Sequence, residues 1–152
     1  MLLTSTEAAL FFKLILPLQF FANRKLGVLP KVKTFAIYCD ISLQEKFEVR
    51  NALFANPHLL DEFIDENPHD IPLPELAIIS TWKKFVPGEF YIERYLKDYA
   101  VFISEDERAY AVSGLTTALD ESFPKYFLQV EIIANSGNGI SCGFSSINSS
   151  SK

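Results

Sequence analysis

A helix is predicted from about Ser5 to Lys25, and nearly every residue from Ala8 to Ala22 within it is apolar. Projected at about 100° per residue, Thr6, Lys13, Gln19, Asn23 and Arg24 gather on one side, leaving the rest of a helical surface apolar. Thr4-Ser5-Thr6-Glu7 has capping-box spacing, with a hydroxyl at the N-cap and a carboxylate three residues on. Gly27 suits the C′ position that closes a helix. The pattern predicts a helix that Pro17 kinks or splits, because proline removes an intrahelical hydrogen bond. Val28 to Asp40 reads as a connector, with Thr34 to Tyr38 as a short strand. Ser42-Leu43-Gln44-Glu45 is a second capping box and opens a helix ending near Ala55. Asn56 as N-cap and Pro57 at the first helical position start another. Its Leu59, Leu60, Phe63 and Ile64 face inward, and its Asp61, Glu62, Asp65 and Glu66 face outward, until Asn67-Pro68 ends it. A further helix is predicted from about Pro74 to Phe85, carrying Leu76, Ile79, Trp82 or Lys83, and Val86 at helical spacing.

The period shortens after Pro87-Gly88. Aromatic and β-branched residues dominate, and strands are predicted at about Glu89–Leu96, Tyr99–Ser104, Ala109–Gly114, Lys125–Ala134 and Gly139–Phe144. Lys97-Asp98, Glu105 to Arg108 and Asn135 to Gly139 supply the turns. Thr117 to Ser122 reads as a short helix stopped by Pro124. Tyr126, Leu128, Val130 and Ile132 alternate with Gln129 and Glu131, as in a sheet with one covered face. The expected fold is α+β, with N-terminal helices packed on one face of a four- or five-stranded antiparallel sheet. Residues 1–144 form the expected single domain, and the Ser/Asn-rich stretch 145–152 an expected fraying tail.

Composition modifies this picture in three ways. Fourteen Phe, six Tyr and one Trp among 152 residues provide bulk for a core or for an adhesive surface. A net charge of −5 opposes nucleic-acid binding, which needs clustered cations to neutralise phosphates. The one basic group, Arg24, Lys25, Lys31 and Lys33, reads as a helix end complementing its dipole. Cys39 and Cys142 form neither a CxxC pair nor a disulfide framework, so reduced thiols in a cytoplasmic protein are expected. The apolar run from Leu10 to Phe21 is interrupted by Lys13, Pro17 and Gln19 and follows Glu7, which fits a buried helix better than an export signal or a membrane span.

Two groups of residues suggest chemistry. His58, Asp61 and Glu62 stand at i, i+3 and i+4, a spacing at which imidazole and carboxylates meet one cation, and His69-Asp70 follows. A His-Asp pair with an upstream His also occurs in metal-dependent HD phosphohydrolases, but their fold is helical throughout, whereas this chain turns to β after Gly88. The simpler reading is a solvated acidic helix face with His69-Asp70 in a proline-rich loop. The second group is Tyr91, Tyr95 and Tyr99 with Glu93 and Arg94. Strict alternation sends Arg94 into the apolar phase of Phe90, Ile92 and Leu96, where it must pair with a carboxylate or line a pocket. No GxSxG, phosphate-binding loop or zinc-ligand spacing is present.

The stretches Phe20-Phe21-Ala22-Asn23-Arg24-Lys25-Leu26-Gly27, Glu75 to Phe85, Gly88 to Lys97 and Tyr110-Ala111-Val112-Ser113-Gly114-Leu115 resemble a group of small uncharacterised bacterial proteins. That group closes with a strand resembling Ile-Tyr-Asp-Gly, where this chain reads Ile140-Ser141-Cys142-Gly143. The resemblance implies a helical N-terminal half, a β C-terminal half and no established activity. Together these features lead to the expectation of a non-catalytic binding or protein-interaction module. It would self-associate or dock a protein partner through its aromatic surface, with Tyr91, Arg94, Tyr95 and Tyr99 as the candidate binding residues. No cofactor, nucleic acid or membrane partner is expected. The alternative is a metal-assisted hydrolase using His58, His69 and Asp70.

Overall fold

Helices precede strands along the chain, as the change of period requires. The computed structural model describes residues 5–84, 89–97, 99–113, 128–134 and 140–145. Predictions falling on Thr4, Val86, Thr117 to Ser122, the turn at 135–139 and the tail beyond residue 145 lie outside the described residues. The chain divides into a compact helical unit, Ala9–Lys83, and a second unit that contains the strands.

Helix α1 (Ser5–Leu26), which belongs to the helical unit from Ala9 onward, continues through Pro17 without dividing. It ends where Gly27, at φ 66°, donates its N–H to the Asn23 carbonyl at 2.8 Å. A positive φ of this kind costs glycine no Cβ clash. The predicted polar side of α1 is only partly polar in its surroundings: Gln19 and Asn23 are buried beside Leu14, Ile15, Leu18 and Ala22. Each is satisfied internally, which removes the cost of burying a bare amide. Gln19 Oε1 accepts the Tyr38 hydroxyl at 2.9 Å. The Asn23 amide accepts from the Leu29 N–H at 2.7 Å and donates to the Leu29 carbonyl at 3.2 Å, tying the connector to the end of the helix.

The short strand expected at Thr34 to Tyr38 is instead α2 (Phe35–Asp40). Thr34 is its N-cap, and the Thr34 hydroxyl accepts the Ile37 N–H at 3.3 Å. Phe35 and Tyr38, three apart, pack on Phe20 from one helical face, while Ile37 is exposed. The capping box at Ser42 is present, with Glu45 accepting the Ser42 N–H at 3.0 Å, and opens α3 (Leu43–Ala55). Asn56 does not cap the next helix. Its side chain turns back to donate to the Ala52 carbonyl at 2.9 Å, so α4 (His58–Glu66) starts after Pro57 without a side-chain cap. The inward set Leu59, Leu60 and Phe63 is buried, with Ile64 half-buried, as the periodicity requires. Asn67 ends α4 at φ 38° and grips Ile71 through its amide, accepting the N–H at 2.8 Å and donating to the carbonyl at 3.0 Å. In α5 (Leu73–Thr81) Leu76 and Ile79 are buried. A single 3-10 turn, Trp82–Lys84, then buries Trp82 and leaves Lys83 exposed.

In the second unit, β1 (Glu89–Tyr95), β2 (Ala100–Ser104) and β3 (Ala109–Ser113) form a three-stranded antiparallel meander. Ala100, Phe102 and Ser104 are buried and alternate with half-buried Val101 and Ile103, the two-residue repeat of a strand. Buried Ser104 is satisfied by the β2–β3 turn: its hydroxyl donates to Asp106 and accepts the Arg108 N–H at 3.2 Å. The pairing of β1 shifts between Ile92, opposite Phe102, and Arg94, opposite Val101, so Glu93 is the extra residue of a β-bulge. Helices and strands are both present, as expected, but the expectation of a four- or five-stranded antiparallel sheet is corrected. The antiparallel sheet is the three-stranded meander, while the backbone of β4 (Leu128–Ala134) pairs antiparallel with β1 and that of β5 (Ile140–Ser145) pairs parallel with β3. No helix among the described residues is long and apolar enough to cross a membrane.

Candidate functional site

The outward side of α4 carries a ladder of carboxylates, and cations from other elements have come to it. Lys25, near the end of α1, places its ammonium 2.7 Å from Glu66 and 3.5 Å from Glu62, with the ring of Phe21 beneath it at 5.0 Å. The hydrogen bond that the Lys25 ammonium donates to Glu66, supported by Glu62, holds Lys25 above the ordinary lysine range. Lys83 pairs with Asp61. His58 Nε2 stands 3.8 Å from Glu62 Oε1, one helical turn away. All these groups are partly exposed, so water and salt screen each pair and its contribution to stability is small. The face predicted to be acidic and solvated is therefore solvated but not unopposed.

His58 and the His69-Asp70 pair occupy separate segments. His58 opens α4, whereas His69 and Asp70 lie in the loop between α4 and α5. The His69 ring meets Phe35 edge-on at 5.2 Å and Phe63 at 6.4 Å, an aromatic environment. Asp70 is exposed and takes φ 51°, which Asp tolerates better than most residues. Among the described residues no three His, Cys, Asp or Glu side chains stand where they could hold a metal ion.

The second candidate group is at the end of the β1–β2 hairpin. The β-bulge at Glu93 interrupts the alternation of β1, and this overturns the inward reading of Arg94. Arg94 lies opposite half-buried Val101, its side chain is 60% exposed, and its guanidinium reaches Glu93 Oε1 at 2.6 Å. That contact holds the Glu93 carboxyl below its usual range and the Arg94 guanidinium above its own. Tyr95 falls opposite buried Ala100 and is half-buried; Tyr91 is paired with Ile103. Leu96 donates its N–H to the Tyr99 carbonyl at 2.8 Å, closing the hairpin, and leaves its side chain exposed beside half-buried Tyr99. The structure thus brings Arg94, Tyr95, Leu96 and Tyr99 to one hairpin end.

Sequence reasoning missed several features. Leu43 and Leu73, each the first residue of its helix, are exposed at 74% and 81%. Arg50 is buried on α3, with its guanidinium 4.5 Å from the ring of Phe47 and a hydrogen bond to Asn51 at 3.3 Å. Nothing in the charge pattern of α3 distinguishes Arg50 from an exposed helical arginine. Conversely, Phe11, Phe20, Phe21, Phe54, Phe63, Tyr38 and Trp82 are buried, so much of the aromatic content of the helical unit is core. Comparisons with protein-family models, with curated proteins and with solved structures find no match.

Proposed function

We propose that the protein is a non-catalytic interaction module that docks a protein partner through the end of its β1–β2 hairpin. One observation carries this reading: the bulge at Glu93 turns Arg94 outward, at the same hairpin end as exposed Leu96 and half-buried Tyr95 and Tyr99. Arginine and tyrosine are the residue types that most often dominate binding energy at protein interfaces. The antiparallel pairing of β1 with β2 and the bond from the Leu96 N–H to the Tyr99 carbonyl hold these residues in place, which lowers the ordering cost of binding. The ion-pair commitments of the α4 carboxylates and the aromatic contacts of His69 support binding over metal chemistry.

A photo-crosslinking residue at Leu96 tests the reading inside cells, with the same residue at exposed Glu107 on the opposite turn as control. The expected result is a discrete adduct from position 96 that Arg94→Glu abolishes, with no adduct from position 107. Light scattering on the purified chain separates a foreign partner from a second copy, since a concentration-dependent dimer lost in Arg94→Glu identifies self-association. Equal labelling from both positions, unaffected by Arg94→Glu, overturns the proposal.

A further inference from the structure

We draw no further inference here: the strongest candidate, the exposed apolar corner made by Ile37 on α2 and Leu43 at the start of α3, is a surface patch for which nothing in the structure shows what covers it.

Discussion

Tyr38 combines complete burial with a hydroxyl that has one internal partner, Gln19 on α1. Burial, aided by neighbouring Cys39, pushes the phenol well above its ordinary value of 10.0. In the unfolded chain the phenol ionises near 10, while in the folded chain it stays neutral, so stability is unaffected below that pH and falls as pH rises through it. Tyr38→Phe is expected to lose about 1–3 kcal/mol at pH 7 because the Gln19 carbonyl is left without its donor. The same variant should show a shallower stability loss above pH 10, measurable by urea unfolding at several pH values. Asn23→Ala removes two hydrogen bonds to Leu29 and is expected to cost about 2 kcal/mol in the same assay. Arg94→Ala gives the opposite result. A buried, paired arginine loses roughly 3–5 kcal/mol when its pairing is broken, but an exposed one changes stability by about 0.5 kcal/mol or less. The exposed value is expected here, and a loss of several kcal/mol would contradict the outward placement. Residue identity gave poor warning of these environments. Gln19 and Asn23 read as surface because polar side chains usually are, and their burial depends on partners, Tyr38 and Leu29, contributed by the next segment.

Helices and strands were legible wherever local chemistry fixed an end. The box at Ser42 and Glu45 positions α3, the αL residue Asn67 terminates α4, and Gly27 terminates α1, each within a residue or so of expectation. Ser42→Ala is expected to cost about 1 kcal/mol, the usual value for losing a side-chain N-cap. Its partner Glu45 is held below the ordinary carboxylate value of 4.5 by hydrogen bonds from the Ser42 backbone and side chain. The Glu45 contribution is therefore present above that pH and disappears as pH falls through the depressed folded value. Glu45→Gln should consequently be less stable than the parent at pH 6 and indistinguishable from it in strong acid, as read by thermal unfolding. Where two local codes competed, the sequence misled. Thr34-Phe35-Ala36-Ile37-Tyr38 has strand composition, yet Thr34 is also a good N-cap, and the burial of Tyr38 against Phe20 favours the helix. Asn56 is likewise eligible both to open α4 and to close α3, and the Ala52 carbonyl wins it. The bulge was not readable at all, because one extra residue in β1 leaves no mark in composition and reverses the phase of everything after it.

The helical unit brings together its own aromatic and aliphatic contacts, among them Phe21 on Phe63, Phe11 on Trp82 and Phe20 on Tyr38. A chain limited to residues 9–83 is expected to keep helical circular dichroism and to unfold cooperatively in urea. A featureless, non-cooperative melt would mean that this unit depends on the strands for its order. The general division into helices followed by strands was legible because the hydrophobic period changes at Pro87-Gly88. The residues of the candidate site, Arg94, Tyr95 and Tyr99, were legible as a group, but the outward placement of Arg94 was not, since it follows from a register shift. The two asparagine clamps also affect the chemical lifetime of the molecule. Each uses a side-chain amide as a substitute peptide group, so hydrolysis to aspartate would set a negative charge against the carbonyl of Leu29 or Ile71. Asparagine loses its amide chiefly through attack by the following backbone nitrogen. At Asn67 that nitrogen belongs to Pro68, which carries no hydrogen, so the loop between α4 and α5 is tied by a residue protected from this form of ageing.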